Sequence, residues 1–450
     1  MNAPERLFAP PAALDRAVFA ARRRALADIV GTEGAVILPA NREQPRNRDV
    51  HFPFRQDSDF WYLTGFPEPD AIAVFLPGRE AGELVLFVRP RDPEREIWDG
   101  RRHGTEGARE HFGADEAHTL DAFDAQLPGL LAGRRNVHVQ LGDRPELDAR
   151  ITACVQRMRE MSRRGPAAPE ALLGLDASLH ELRLIKSAAE VAHMRFAARV
   201  SAAAHIAAMR AVAPGVQEWQ LAAEIHAVLA RHDMEPGYGS IVAAGANACV
   251  LHYVENRAEV GTDDLVLIDA GGEYHGYTAD ITRTFPAGGR YGAEQAAVYD
   301  IVLAAQQAAI DTVRAGTPVA DMHEAATRVL TQGMVDLGWL SGDVDGLIEQ
   351  GEQRRYFMHG TGHWLGMDVH DVGRYRVDGD SRPFAAGMVT TVEPGLYVPP
   401  DDERVDARWR GIGIRIEDDV LVTDGEPDVL TGDVPKTREA VEALIASARG

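Results

Sequence analysis

The stretch LIDAGGEYHGYTADITRTF, residues 267–285, decides the fold of the second half of this chain. Asp269 closes one apolar run, and Asp280 opens a second run that continues through Thr282 and Thr284. Apolar and β-branched residues favour extended backbone, and the segment between the runs is rich in glycine and tyrosine. The stretch therefore predicts a β-hairpin that brings the carboxylates of Asp269 and Asp280 together.

Two carboxylates held close together repel and shift each other's pKa unless a cation neutralises them. We therefore expect a metal site on this hairpin. The alternative from this stretch alone is that both aspartates lie in surface turns. The rest of the chain has to decide between these two interpretations.

The composition of the 450-residue chain is that of a soluble globular protein, with 45% hydrophobic and 26% charged residues. Its formal net charge of -22 argues against nucleic acid or an anionic membrane as a partner, because both demand a basic surface. Two cysteines, Cys154 and Cys249, are too few for a disulfide framework and fit a reducing compartment. The sequence MNAPERLFAP lacks the apolar core of a signal peptide, and no run reaches transmembrane length, so we expect a cytoplasmic protein.

The N-terminal part of the chain predicts a small mixed α/β domain. A helix is expected at residues 11–30. The apolar runs predict strands at 34–38, 71–76, 84–88 and 137–141. The aromatic segment RQDSDFWYLTGF, residues 55–66, is interpreted from its composition as a buried strand with a polar lead-in.

The sequence SRRGPAAPE, which has no periodicity, predicts a linker over roughly residues 162–178. We accordingly expect one domain at residues 1–176 and a second at 177–450. Early in the second, Ser187 and Glu190 have the spacing of a capping box, which predicts a long helix that runs to about Val212.

Two segments of the second half resemble each other, RAVAPGVQEWQLAAEIHAVLARH at 210–232 and RAGTPVADMHEAATRVLTQGM at 314–334. Each combines an arginine, a turn that contains proline and a helix with an apolar stripe. The first copy precedes the hairpin, and the second precedes a histidine-rich segment and two strands that carry glutamates. This weak repeat suggests a pseudo-symmetric domain with one site at its centre.

The histidine-rich segment MHGTGHWLGMDVHDVG contains His359, His363 and His370. The spacing of His359 and His363 matches that of a zinc-protease helix, but Gly360 and Gly362 disfavour a helix and no glutamate follows His359. We therefore reject that motif. The histidines could be hydrogen-bonded core residues or part of a site.

Two glutamates lie at strands in the last part of the chain. Glu393 ends the apolar run of MVTTVEPGLYV, where Pro394 stops the ladder. In GIGIRIEDDVLVT, residues 411–423, the alternation places Arg415 and Glu417 on one face. These two residues could form an ordinary ion pair, or Glu417 could be a metal ligand beside a guanidinium.

The candidate ligands are four carboxylates and one imidazole, namely Asp269, Asp280, His363, Glu393 and Glu417. Four negative charges balance two divalent cations, and ligation mainly by oxygen suits a hard ion such as Mn²⁺. Two such ions can lower the pKa of a water and polarise a carbonyl, which is the chemistry of a hydrolase.

The segments IDAG, TADITRTF, HGTGHWLG, VEPGLY and IRIEDD resemble those of the pita-bread metallopeptidases of family M24, most closely the aminopeptidase P (Xaa-Pro aminopeptidase) family. RQDSDFWYLTGF and EIWDGRR resemble the N-terminal domain of that family, and the resemblance covers about residues 10 to 440. It implies an α+β fold. A small N-terminal domain of the creatinase-N or ribonuclease-H-like type would precede a pseudo-symmetric pita-bread catalytic domain.

The resemblance also implies roles for the ligands. Asp269 would bind one metal ion, and Asp280 and Glu417 would bridge two. His363 would complete the coordination of one ion and Glu393 that of the other. Glu393 would also act as general base for a hydroxide that bridges the ions.

Further residues receive roles from the same resemblance. His252 and His370 would line the pocket and stabilise the gem-diolate, and His359 would help to shape it. Arg415 would orient Asp269. The remaining residues expected at the site are Tyr238, Asp49 and Trp98, the last two from the N-terminal domain of the same chain or of a neighbouring subunit.

The implied reaction is release of an N-terminal residue that precedes proline, by a homodimer or homotetramer that acts on proline-containing peptides and binds neither nucleic acid nor membrane. The amide before proline lacks an N–H, so its pyrrolidine ring needs an apolar wall and a proton donor. The nearest alternative is prolidase, which is restricted to dipeptides. Methionine aminopeptidases usually lack this large N-terminal domain, creatinase-like amidinohydrolases lack the ligands, and a catalytically inactive peptide-binding relative is the alternative outside enzymes.

Overall fold

The computed structural model describes residues 8–161, 163 and 165–449 and divides them into two compact units. One unit comprises Ala13–Arg183, and the other comprises the described residues from 184 onward together with residues 8–12. Both contain helices and strands, as the α+β class requires. The predicted domains at 1–176 and 177–450 stay a prediction, and residues 1–7 and 450 lie outside the described part.

The N-terminal unit is built on a mixed sheet. The strands of the unit are β1 (Gly34–Pro39), β2 (Pro45–Asn47), β3 (Val50–His51), β4 (Ile72–Phe75), β5 (Leu84–Val88), β6 (Glu116–Thr119), β7 (Asn136–Val139) and β8 (Ala171–Gly174). Of these, β2 and β3 pair with each other in a separate two-stranded sheet. Its helices are α1 (Arg16–Val30), α2 (Ser58–Thr64), α3 (Pro93–Asp99), α4 (Gly104–Phe112), α5 (Phe123–Leu130), α6 (Pro145–Glu160) and α7 (Asp176–Leu184). The sheet has the order β6-β5-β4-β1-β7-β8, and its apolar side chains form a core with α5 and α6.

Residues 55–66 do not form the predicted strand, because Ser58–Thr64 is a helix. The Asp57 side chain accepts a hydrogen bond from the N–H of Phe60, and Gly65 ends the helix in the left-handed conformation at φ 63°. Most of this helix is buried, so its composition resembles that of a buried strand. The cap residues at its two ends were the signal that composition alone overlooked.

The predicted linker is wrong over its second half. Residues 171–174 form β8, which pairs in parallel with β7 and adds a sixth strand to the sheet. Residues 162 and 164 lie outside the described residues. The helix predicted at residues 11–30 begins only at Arg16, because Asp15 caps it.

The second unit contains α8 (Ala188–Ala211), α9 (Glu218–Arg231), α10 (Ala293–Ile310), α11 (Val319–Asp336), α12 (Val344–Gln350) and α13 (Arg438–Arg449). Its strands are β9 (Glu235–Pro236), β10 (Ile241–Ala244), β11 (Leu265–Asp269), β12 (Gly272–Tyr274), β13 (Tyr277–Thr278), β14 (Thr282–Pro286), β15 (Arg376–Val377), β16 (Asp380–Ser381), β17 (Val389–Val392), β18 (Gly395–Tyr397), β19 (Gly413–Arg415), β20 (Asp418–Leu421) and β21 (Asp428–Val429). No helix in the described part of the chain is both long enough and apolar enough to span a bilayer.

The two halves of this unit follow the same plan. The helix pair α8 and α9 precedes the sheet β10-β11-β14, and the helix pair α10 and α11 precedes the sheet β17-β20-β21. The predicted capping box of Ser187 and Glu190 starts α8. The two segments that resemble each other thus contribute α9 and α11, and each is followed by strands that carry candidate ligands.

The run at 411–423 is not one continuous strand, as its alternation suggested. Residues 413–415 pair with β18, whereas residues 418–421 pair with β17. Between them, the N–H of Glu417 donates to the carbonyl of Thr282, at 3.0 Å. The chain changes partners at this point, and that change places Glu417 against the first half of the unit.

Candidate metal centre

Strands β11 and β14 form the predicted hairpin, with Asp269 opposite Thr282. The segments that connect these strands approach each other closely at Gly271. A Cβ at this position would lie 1.7 Å from the carbonyl oxygen of Ala279. The side chains of Asp269 and Asp280 are only 13% and 7% exposed. The alternative that they are surface turn residues is therefore excluded.

Two side chains hold the aspartates in place. The Tyr238 hydroxyl lies 2.7 Å from Asp269 Oδ1 and 2.5 Å from Asp280 Oδ1. Arg415 donates from Nη2 to Asp269 Oδ2, at 2.6 Å. One oxygen of each aspartate is thus hydrogen-bonded to the tyrosine, and the second oxygen of Asp269 is hydrogen-bonded to the arginine.

The second half of the unit delivers the glutamates and the histidine. Glu393 follows the last residue of β17, and its N–H donates to the carbonyl of Thr361, at 2.7 Å. Thr391 on the same strand donates from its N–H to the carbonyl of His363, at 2.9 Å. The histidine-rich segment therefore runs along β17, which brings His363 and Glu393 to the same edge.

The imidazole of His363 is oriented for ligation. Its Nδ1 lies 3.0 Å from the carbonyl of Trp364, so the proton on that nitrogen leaves Nε2 free as the ligand atom. Nε2 lies 3.6 Å from Asp280 Oδ2 and 3.5 Å from Glu393 Oε1. Residues 358–365 are not helical, which agrees with our rejection of the zinc-protease helix.

One cavity of about 540 Å³ collects most of the predicted site residues. They are Tyr238, His252, Asp269, Asp280, His359, His363, His370, Glu393, Arg415 and Glu417. Apolar walls alternate with these polar groups and consist of Ile241, Leu251, Val254 and Val369. A larger cavity of about 710 Å³ lies beside Leu265 and Pro286 at the other end of the hairpin, and none of these residues lines it.

The four carboxylates in the cavity outnumber the two basic side chains beside them, Arg415 and His363. Burial, helped by Asp280 and Asp269 and opposed by His363 and Arg415, raises the pKa of Glu393 to about 7. Burial and the neighbouring acids raise the pKa of Glu417 well above its usual value. Burial also raises the pKa of Asp269, with the charge of Asp280 as the next cause. Burial lowers the pKa of His363, but Asp280 and Glu393 outweigh it and raise that pKa to about 9. Asp280 differs, because the hydrogen bond and charge of His363 outweigh its burial and lower its pKa. The other shifts all favour the binding of a proton.

This donor set fits divalent cations. Asp280, His363 and Glu417 each offer a ligand atom, and these atoms lie within 4.8 Å of one another. Asp269 is joined to the group through Tyr238, and Glu393 lies beside His363. Carboxylate oxygens and one imidazole nitrogen suit a hard or borderline metal ion, and a cation would replace the protons that the cluster now attracts.

Three further histidines lie around the ligands. His359 Nε2 is 2.8 Å from the Tyr397 hydroxyl, and burial lowers the pKa of His359 to about 4. The ring of His370 lies 4.4 Å from that of His363, nearly perpendicular to it. Burial also lowers the pKa of His370, and the proximity of His363 and His252 lowers it further. The rings of His359 and His370 can therefore donate and accept hydrogen bonds as neutral groups.

Several residues that support the cluster were not predicted from the sequence. Thr282 donates from Oγ1 to Glu417, at 2.6 Å, and Tyr397 accepts from Arg415, at 3.0 Å. Asp419 accepts from the N–H of Asp280, at 3.1 Å, and burial raises its pKa well above the usual value. All three lie in quoted segments, but contacts that join distant parts of the chain give no local signal.

Asp49 and Trp98 belong to the N-terminal unit. Asp49 lies between β2 and β3, and Trp98 lies on α3 with 85% of its surface exposed. Their predicted approach to an active site stays a prediction.

Comparison with known proteins adds the family. Residues 192–424 match the model of metallopeptidase family M24, and residues 19–139 match that of the aminopeptidase P N-terminal domain. The chain is 43% identical to the Xaa-Pro aminopeptidase of Escherichia coli, over 97% of this chain and 99% of that protein.

Solved structures of aminopeptidases are similar to this chain over nearly its whole length. The structure of Pseudomonas aeruginosa aminopeptidase PepP is 50% identical, with a TM-score of 0.95 over 97% of this chain and 99% of that one. A zinc-substituted E. coli aminopeptidase P in complex with product is 43% identical, with a TM-score of 0.94 over 98% of this chain and 100% of that one.

Proposed function

Since the chain belongs to metallopeptidase family M24 and contains an aminopeptidase P N-terminal domain, we infer that it is a metalloaminopeptidase that releases the first residue of peptides with proline in second position. The observation that carries this conclusion is the convergence of Asp269, Asp280, His363, Glu393 and Glu417 on one cavity. Prolidase is not favoured, because full-length relatives are Xaa-Pro aminopeptidases. A catalytically inactive binding protein is not favoured either, because every predicted ligand is present.

We propose that the cavity holds two divalent cations, with Mn²⁺ as the first candidate. Asp269, Asp280, His363, Glu393 and Glu417 would hold them, with Asp280 and Glu417 shared. When bound, such a pair supplies Lewis-acid activation of a water and of the scissile carbonyl. The four carboxylates support this stoichiometry, since two divalent cations carry four positive charges against their four negative ones.

The side chains around the ligands then position the substrate and move the protons. Glu393 lines the cavity beside His363, at 3.5 Å, so it is placed to accept a proton from the attacking water and to return it to the proline nitrogen. Arg415 fixes Asp269 through the 2.6 Å hydrogen bond. His252 and His370 supply hydrogen bonds at the developing oxyanion, and His359, held by Tyr397 and the carbonyl of Gly360, shapes the pocket.

The apolar side of the cavity suits a pyrrolidine ring. Ile241, Leu251, Val254 and Val369 line the cavity together with the ligands and offer apolar contact to the ring. A tertiary amide has no N–H to donate, so recognition by shape and apolar contact replaces a hydrogen bond there.

The test is the release of the first residue from matched peptides, followed by mass spectrometry. A tripeptide Xaa-Pro-Yaa should be cleaved in the presence of Mn²⁺, and Xaa-Ala-Yaa should be cleaved at least ~10-fold more slowly. Turnover restricted to the dipeptide Xaa-Pro would assign the protein to prolidase activity. Metal analysis after reconstitution should give two ions per chain, and comparison of Mn²⁺ with Zn²⁺ identifies the ion that supports higher kcat/KM.

We also propose a homodimer or homotetramer in which Asp49 and Trp98 approach an active site. The exposure of Ile97 (79%) and Trp98 (85%) on α3 supports this, because adjacent large apolar side chains seldom remain in water. Light scattering measures the mass in solution. A monomer with full activity would contradict the proposal, as would a Trp98→Ala variant with unchanged mass and unchanged kcat/KM.

We further propose a cytoplasmic location. Cys154 and Cys249 are both free thiols, which is usual where the medium is reducing. Fractionation of the source cells tests the location.

A further inference from the structure

The segment at residues 245–258 has little regular structure of its own, although it carries His252. Its first five residues form a short 3₁₀ turn, Gly245–Cys249, and the remainder contains no helix or strand. Leu251 and Val254 of the same segment line the cavity with His252. Something outside the segment must therefore fix the position of this wall.

Glu218, the first residue of α9, holds the segment from behind. Its side chain is completely buried and accepts four hydrogen bonds. Oε1 accepts from the N–H of Ala244, at 2.8 Å, and from Asn247 Nδ2, at 3.0 Å. Oε2 accepts from the Tyr253 hydroxyl and from the N–H of Ala258, both at 2.8 Å.

The positions of these four donors matter as much as their number. Ala244 immediately precedes the segment and Ala258 ends it, whereas Asn247 and Tyr253 lie within it, and Tyr253 is the residue after His252. All four donors are neutral, so the carboxylate draws its stabilisation from hydrogen bonds and from the N-terminus of the helix it begins. One side chain thereby closes the segment into a loop.

Asn256 attaches the same loop to strand β10. Its Oδ1 accepts from the N–H of Val242, and its Nδ2 donates to the carbonyl of Ser240, both at 2.8 Å. The side-chain amide thus satisfies backbone groups along the edge of the sheet, as a neighbouring strand would. The backbone of Asn256 has φ 49°, a conformation that asparagine tolerates better than most residues.

We propose that Glu218, assisted by Asn256, is a positioning residue of the aminopeptidase reaction, which holds the 245–258 loop so that His252 faces the ligand cavity. This inference rests on the proposed function and on the proposed role of His252. Neither Glu218 nor Asn256 lines the cavity, so both act through the loop. An error of about 1 Å in the placement of a reacting group can cost about 100-fold in rate, which makes the anchor matter for turnover.

The variant Glu218→Gln changes the anchor without changing its volume. An amide has one accepting oxygen, and its NH₂ group would face two donors whichever way it is turned. Two of the four hydrogen bonds are therefore lost. We expect kcat/KM for Xaa-Pro-Yaa to fall by about 10- to 100-fold, mainly in kcat, with unchanged metal content.

A double-mutant cycle with His252→Ala tests whether the effect passes through the histidine. Glu218→Gln should cost less than about 2-fold in a protein that already lacks the His252 imidazole, because nothing remains to be positioned. Equal losses in both backgrounds would overturn the positioning role. A His252→Ala variant with wild-type kcat/KM would overturn it as well, while an inactive wild-type protein would overturn the proposed function together with it.

The matched control is Glu190→Gln. Glu190 is also a buried glutamate in the first turn of a helix, and it also accepts from a tyrosine hydroxyl, that of Tyr277, at 2.9 Å. Any cost of this variant should be the same with and without the His252 imidazole. Tyr253→Phe keeps both backbone hydrogen bonds to Glu218, so it supplies the same test should Glu218→Gln fail to fold, with a loss of about 3- to 10-fold expected.

Discussion

Glu417 and Asp418 are neighbours in the chain and equally buried, with 1% and 0% exposure, yet their environments are opposite. Burial raises the pKa of Glu417 well above its usual value, and Asp280, Glu393 and Asp269 raise it further. Burial also acts to raise the pKa of Asp418, but Arg283 and Lys436 outweigh it and hold that pKa well below its usual range. The pKa values of two adjacent, equally buried acids are thus shifted in opposite directions.

The side chain of Asp418 is fully paired by the protein itself. Arg283 donates to it at 2.7 Å, Lys436 at 2.8 Å, Gln306 at 2.9 Å and Thr431 at 2.7 Å. Arg283 also donates to the carbonyl oxygens of residues 282 and 417. This network, which we name the Asp418 network, joins β14 and β20, the strands that begin just after Asp280 and Glu417.

The comparison shows how one chain separates structure from function at neighbouring positions. The Asp418 network contains its own cations and completes the fold. The ligand cluster contains more acid than Arg415 and His363 can balance, so its charge has to be balanced from outside the chain. Acids of the first kind should matter for folding without metal, and those of the second kind for turnover with metal.

The largest expected effect breaks the functional side of this comparison. Glu393→Gln removes the group that moves the protons, so kcat for Xaa-Pro-Yaa should fall by about 10³- to 10⁴-fold. The far-ultraviolet circular dichroism spectrum should match that of the wild type. Turnover near the wild-type level in this variant would exclude Glu393 as the base.

The second-largest expected effect concerns the Asp418 network. Asp418→Asn leaves Arg283 and Lys436 without their anion in the interior, which should cost about 3–5 kcal/mol of unfolding free energy. Urea denaturation of wild type and variant, both in chelator, measures this difference without any contribution from metal.

Asp300→Asn is the control for that measurement. Asp300 forms an ion pair with Arg438 at 2.6 Å, but the two side chains are 52% and 30% exposed. The same substitution should therefore cost less than ~1 kcal/mol. A cost for Asp418→Asn as small as that of the control would show that the buried network contributes little to folding.

The third effect concerns metal. A ligand that binds only the folded state stabilises it by about 2.7 kcal/mol at a concentration 100 times its Kd. Chelation should thus lower the Tm of the wild-type protein, and Mn²⁺ added back in excess should restore it. A Tm that is the same with and without chelator would contradict the proposed site.

Much of this arrangement could be predicted from the sequence, because the signals for it lie close together along the chain. The hairpin was predicted from two apolar runs around a turn. The position of Glu393 at a strand end was predicted from the proline that follows it. The helix at residues 58–64 was missed because its signals, Asp57 and Gly65, lie at its ends, whereas composition weighs its buried middle.

The roles of the acids in IRIEDD could not be read in the same way. Alternation places Glu417 and Asp418 on opposite faces, but it does not say what either face meets. The partners of Asp418 are Arg283 on β14 and Lys436 before α13, which lie far away in the sequence. Only the fold reveals which of two adjacent acids has its counter-charge.

The smallest effect is the sharpest test of that difference, because it applies the same chemistry to the next residue. Glu417→Gln in chelator removes an acid that burial and its neighbours already disfavour as an anion, and the Gln oxygen can still accept from Thr282. The unfolding free energy should change by less than ~1 kcal/mol, in the direction of greater stability, because folding no longer has to protonate or desolvate an acid at this position. Urea denaturation beside Asp418→Asn measures both. A loss for Glu417→Gln as large as that for Asp418→Asn would mean that the protein already balances the charge of both acids, and the need for outside cations would disappear.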